Sequence, residues 1–131
     1  MPITVTWADR TPNIILFTFT APWDVDEFKE KRAEAGELLR SVNFPVHVIA
    51  DFSANDGFLP TNSLTEFRHT SNLLPWNTGA IYVISSRPTL AVRVYQSLLK
   101  LGITQLSTRV YFADSVPDAM ARIHNQVRSV S

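Results

Sequence analysis

The chain has 131 residues, 45% hydrophobic and 18% charged, with twelve basic side chains balanced by twelve acidic ones. One domain accounts for that length, and at this size it buries roughly two-thirds of the surface its unfolded chain would expose. Zero net charge removes the basic field that nucleic-acid phosphates require, and the absence of cysteine removes disulfides, thiolate catalysis and Cys-ligated zinc.

The first basic residue is Arg10, beside Asp9, and the apolar run Ile14 to Phe17 is too short for a signal sequence. No stretch approaches the roughly 18 apolar residues of a membrane span, so a cytoplasmic protein is expected, with no membrane partner. Balanced charge also leaves little repulsion against self-association, and a homodimer is one expectation.

Ile3, Val5 and Trp7 alternate with Thr4 and Thr6, the period of a half-buried strand. Asp9 to Asn13 holds turn chemistry, and Ile14 to Thr20 is a second strand, rich in β-branched and aromatic residues. The short link predicts an antiparallel hairpin. Asp24 stands as a helix N-cap, with Glu27 three residues on as a capping box. Val25, Phe28, Ala35, Leu38 and Leu39 share one face of a helix running to about Arg40. Arg32 interrupts that stripe and is expected at its boundary or snorkelling.

Val46 to Ala50 reads as the third strand, followed by a polar loop from Asp51 to Thr61. Ser63 and Glu66 make a second capping box, opening a short helix that stops before Pro75. Ala80 to Ile84 is apolar on both faces, as in a central strand covered from both sides. A third helix starts at Ser86-Arg-Pro88, carries Leu90, Val94, Leu98 and Leu101, and ends at Gly102. Arg109 to Ala113 is the fifth strand. Ser115 and Asp118 box the start of a last helix lined by Val116, Ala119, Met120, Ile123 and Val127, with a frayed tail from Arg128.

The order is ββαβαβαβα, an α/β fold with a mixed, mostly parallel five-stranded sheet flanked by four helices, in a single domain spanning 1–131. Three stretches carry a family resemblance. Val48-Ile-Ala-Asp51-Phe-Ser53 is similar to a hydrophobic strand ending in Asp-Leu-Ser. Ala80-Ile-Tyr-Val-Ile84, with a helix closing on Leu101-Gly102-Ile103, is similar to a fourth strand and its Leu-Gly-hydrophobic ending. Val110-Tyr-Phe-Ala-Asp114-Ser115-Val-Pro-Asp118-Ala119 resembles a last strand and the start of a last helix. In this order they resemble the STAS domain of bacterial anti-sigma-factor antagonists and of the cytoplasmic parts of sulfate transporters. The resemblance implies a non-enzymatic regulatory module that presents the loop and helix after its third strand to a protein partner. It also implies a phosphoacceptor at the start of that helix. The family's Asp-Ser-Ser-Gly stands here as Pro60-Thr61-Asn62-Ser63, so Thr61 is the nearest match and Ser63 the second. A phosphate on Thr61 would add about −1.5 to −2 charge and switch a partner on or off.

The residues themselves define the same region. In open α/β sheets, ligands and partners meet the protein beyond the carboxyl ends of strands. Asp51, Ser53, Asn55, Asp56, Phe58, Thr61, Asn62 and Ser63 gather after one such end. Asp51 is a candidate nucleophile, base or ligand, or else a turn carboxylate that accepts backbone amides. The run Asp51-x-Ser53-x-Asn55-Asp56-Gly57 fails as a calcium loop, because its Gly falls one place late and position twelve is Asn62 rather than Glu. His47, His69 and His124 lack ligand-spaced partners, so neither metal nor other cofactor is expected. Trp76 and Phe58 are the aromatic residues expected to be exposed for contacts. A second reading makes the same strand ends a pocket for an anionic or lipid-like small molecule, or the site of a minor enzyme, with Asp51, Ser53 and Asp56 as its polar groups.

Overall fold

Five strands and two helices make up the residues that the computed structural model describes, which are 2–10, 13–54, 60, 62, 65–66, 75–84 and 110–130. They are β1 (Ile3–Arg10), β2 (Asn13–Thr20), α1 (Val25–Arg40), β3 (Val46–Ala54), β4 (Thr78–Ile84), β5 (Val110–Ala113) and α2 (Val116–Val130). The strands lie side by side in chain order in one sheet. β1 pairs antiparallel with β2, and every later pairing is parallel. The α/β class and the mixed five-stranded sheet expected from the pattern are therefore present. Two of the four expected helices lie among the described residues. The expected second and third helices fall outside them, apart from a helical turn at Thr65–Glu66.

Period-two alternation sends each strand's side chains to two separate cores. Ile3, Val5, Ile15, Phe17, Phe19 and Val46 turn to one face, where Trp23 and the α1 residues Phe28, Ala35 and Leu39 cover them. Ile14, Ile49, Tyr82, Ile84 and Ala113 turn to the other, under Ala119 and Ile123 of α2. The α1-side core is aromatic at one end. Phe19 stacks on Phe52 with centroids 4.2 Å apart and on Phe17 at 4.9 Å, and Trp23 and Phe28 close around it at 5.2 and 6.0 Å. Each such pair contributes about 0.5–1.5 kcal/mol beyond the area it buries.

That aromatic nest explains the largest boundary difference. β3 does not stop at Ala50 but runs on to Ala54, which pairs with Thr20. Phe52 has a ring to stack on, so the pairing with β2 continues past the polar Asp51. β1 likewise passes Trp7 to reach Arg10, absorbing an irregularity between Trp7 and Asp9. α2 continues to Val130 rather than fraying at Arg128.

α1 begins as expected. Asp24 is extended and its Oδ1 accepts the Glu27 amide at 2.7 Å. The reciprocal half of the capping box is replaced. The Glu27 carboxylate accepts the Ile3 amide of β1 at 3.0 Å instead, across 24 positions of sequence. At the other end, the Ser41 hydroxyl donates to the Leu38 carbonyl at 2.6 Å. Buried Asn77, just before β4, shares the two N–H groups of Nδ2 among the carbonyls of Leu39, Val42 and Phe44, at 2.8, 3.3 and 3.0 Å. The Leu39 carbonyl is one that a helix end leaves without an intrahelical i+4 partner, and those of Val42 and Phe44 belong to the turn that follows α1.

The start of β4 is fitted to β3 by a histidine. His47 Nδ1 accepts the Ala80 amide at 3.0 Å, where the ladder shifts between Val46 and Val48. Gly79 makes room for the ring, since a Cβ there would lie 2.8 Å from Nδ1.

Candidate functional site

Three parallel strands deliver their carboxyl ends to one rim of the sheet, and β2, running the same way, adds Thr18 and Thr20. Asp51 pairs in register with Thr18 on one side and Ile84 on the other. By strand alternation it shares the α2 face with Ile49, as does Ser53, while Phe52 between them enters the α1-side core. Asp51 is half-buried and Ser53 exposed.

Asp51 sits within β3, not after its end. Its Oδ1 accepts the Ser53 amide at 2.9 Å. A short polar side chain bonding two residues ahead is a local turn interaction, so this carboxylate has an internal partner.

The chain beyond the loop is tied down at Glu66, whose side chain is buried. Its Oε2 accepts Arg32 Nη1 of α1 at 3.1 Å, and Arg32 also reaches the Glu66 carbonyl at 3.1 Å. Lys29 Nζ lies 3.6 Å from Oε1 on the outer side. Arg32 is then held over the Phe28 ring, 5.5 Å from its centroid, which adds a cation–π attraction to the ion pair. Arg32 is partly buried, in keeping with a place at the stripe's boundary, and its guanidinium is held by Glu66. It links α1 to the segment after the loop. The Glu66 amide bonds to the Asn62 carbonyl at 3.1 Å, opening the helical turn at Asn62, which is exposed and has φ 70°. Asn tolerates that left-handed backbone better than most residues.

The neighbouring helix start adds a second polar group at this rim. Ser115 Oγ accepts the Asp118 amide at 3.2 Å, half of the expected box. Asp118 Oδ2 accepts the Asp114 amide at 3.4 Å and lies 3.2 Å from Arg122 Nη2 one turn on. The Arg122 Nη1 donates to the Phe112 carbonyl of β5 at 3.0 Å.

The residues expected to form the site are distributed unevenly. Asp51 and Ser53 share the rim, and Asn62 opens the turn that Glu66 anchors. Asn55, Asp56, Phe58, Thr61 and Ser63 lie outside the described residues, as does His69. Trp76 is 77% exposed, as expected for a contact residue. It stands at the opposite rim, since the neighbouring Asn77 carbonyl accepts the Val46 amide at the start of β3. Phe44, 38% exposed, is on that far side too, within reach of Asn77. Trp7 and Trp23 pack in the α1-side core.

Among the described residues no group of three or more His, Asp or Glu could hold a metal ion, and no helix is long and apolar enough to cross a membrane. Burial lowers the His47 pKa from its ordinary value, which suits a ring whose Nδ1 must stay unprotonated to accept the Ala80 amide. The Glu66–Arg32 tie was not foreseen. The only trace of it in sequence is a basic residue inside an apolar stripe, which demands a partner without naming it. Compared with known proteins, the chain matches no family model, no curated protein and no solved structure.

Proposed function

We propose that this chain is a non-enzymatic regulatory module, similar to anti-sigma-factor antagonists, that offers the loop and helix after β3 to a protein partner. The observation that carries this reading is the state of Asp51. Its carboxylate is engaged by the Ser53 amide inside a strand. A general base or nucleophile needs its oxygen directed at a substrate, whereas a recognition loop needs a fixed stem. Asp51 with Ser53 supports the stem on one side, and Glu66 with Arg32 supports it on the other. The mixed sheet with an antiparallel first strand is compatible with the STAS-like resemblance. Thr61, between the two supports in sequence, is the proposed control point.

The test uses tagged chain expressed in its own cells. The wild type should retain a protein at a fixed stoichiometry, and Thr61→Glu, which mimics part of a phosphate's charge, should release it. Retention of no protein would overturn the proposal. So would a thermal shift with inorganic phosphate or a fatty acid that Asp51→Ala abolishes, and that result would favour a small-molecule pocket at the same rim.

A further inference from the structure

Arg32 Nη1 donates to Glu66 twice, to the carboxylate Oε2 and to the main-chain carbonyl, both at 3.1 Å. A tie to a carboxylate alone restrains a side chain that still has rotamers to choose from. A tie to the carbonyl restrains the peptide, and with it the direction of the chain. The two side chains are 18% and 9% exposed, so salt and water weaken the pair little. A buried ion pair is still a poor source of net stability, because desolvation of both charges offsets much of their attraction. What it adds over an apolar contact is one defined geometry. Phe28 under the guanidinium and Lys29 at Oε1 hold the two partners from the same helix.

The fixed peptide acts on the residue one turn back. The Glu66 amide donates to the Asn62 carbonyl at 3.1 Å, and Asn62 has a left-handed backbone, φ 70°. A residue other than glycine keeps that backbone where its surroundings fix it. Asn62 is exposed, so burial of its own side chain does not hold it. The bond to Glu66, itself anchored by Arg32, supplies that support.

We infer that Arg32 is a positioning residue for recognition: through Glu66 it sets the turn that joins Asn62 to Glu66 in the conformation the partner binds. This rests on the proposed function, since it concerns the same segment. α1 is then part of the recognition device as well as a cover for the core. Losing Arg32 leaves the sheet in place and lets Asn62 relax from its left-handed backbone. The turn must then be ordered when the partner binds, which weakens binding.

The test compares full-length wild type, Arg32→Gln and Arg32→Lys by nuclear magnetic resonance, with urea unfolding to establish that each is folded in the assay. The scalar coupling between the Asn62 amide and α protons reads φ directly. Arg32→Gln should change it and shift the Asn62 and Glu66 backbone resonances, while the Ile49 and Tyr82 amide resonances stay in place. A residue that only adds stability would leave the folded conformation, and so the coupling, unchanged. Arg32→Met combined with Glu66→Gln removes both charges together, so no carboxylate is left buried alone, and it should change the coupling in the same way even if Arg32→Gln does not fold. Against the partner retained by the wild type, Arg32→Gln should weaken binding at least about tenfold. Arg32→Lys keeps the charge and enough N–H donors for both oxygens, and should return the coupling and most of the affinity. The inference is overturned if the charge-removing variants keep the wild-type coupling, if they bind the partner as tightly as wild type, or if Arg32→Lys behaves as Arg32→Gln. A wild type that retains no protein overturns the proposed function alone, and the Asn62 coupling then decides whether Arg32 positions the turn.

Discussion

Substituting Gly79 tests the β3–β4 junction at a single carbon. A Cβ at this position would meet His47 Nδ1 at 2.8 Å, Cε1 at 3.0 Å and the Val46 carbonyl at 3.3 Å. The contact with Nδ1 is too close to absorb, so the imidazole must shift. Its Nδ1 then loses the Ala80 amide, now held at 3.0 Å. Leaving that amide unsatisfied costs about 1–3 kcal/mol, and crowding adds about 1–3 kcal/mol. The stiffer unfolded chain of an alanine variant returns about 0.4–1 kcal/mol. Gly79→Ala should therefore destabilise the protein by about 2–4 kcal/mol in urea unfolding, with an unchanged m-value. In a His47→Ala background the ring is absent, and the same substitution should be near neutral. The double-mutant cycle should then report a coupling of about 2 kcal/mol or more. A Gly79→Ala variant within about 0.5 kcal/mol of its parent in both backgrounds would refute this picture of the junction.

Three further outcomes follow from the same contacts. Burial lowers the folded-state pKa of His47, so below about pH 6.5 the unfolded chain binds the extra proton. That contribution to stability is present above the unfolded value and is lost as pH falls toward the folded one; unfolding of wild type and His47→Ala between pH 8 and 5 should show the wild type losing more, and equal losses would contradict it. Glu66→Ala leaves Arg32 without its carboxylate beside the Phe28 ring and should cost about 1–3 kcal/mol, with Glu66→Gln costing less, as measured by thermal unfolding. Asn77→Asp replaces a donor facing three carbonyls with an acceptor, so it should destabilise more than Asn77→Ala in urea unfolding; the reverse order would contradict the assigned amide orientation.

What sequence reading delivers here depends on how far apart the interacting residues are. Strand alternation and the Asp24 cap are local, and they lead to β1, β2, α1 and the parallel β3 to β5 with small boundary differences. The end of β3 was misplaced because Asp51 looks like a terminus, whereas the decisive partner of Phe52 is Phe19, on another strand. Glu27 shows the same competition at a cap. Asp24-x-x-Glu27 is a sound local signature, yet the carboxylate is taken by Ile3, which no periodicity connects to it. Within the candidate site, Asp51 is legible as a carboxylate that accepts backbone amides, one of two readings, but that the amide is Ser53's and lies inside β3 is not. The anchoring of Glu66 to Arg32 was not, because an ion pair 34 residues apart has no spacing rule. Trp76 was legible as exposed, but assigning it to a rim requires knowing that it precedes a strand parallel to β3.

The account rests on recognition at the segment after β3, and native mass spectrometry of the chain isolated from the cells that express it addresses this most directly. It reports bound protein, bound small molecule, self-association and phosphate in one spectrum. The account predicts the chain in complex with a second, different protein, and the loss of that complex in Thr61→Glu. A chain that carries a small molecule and no protein partner would contradict it.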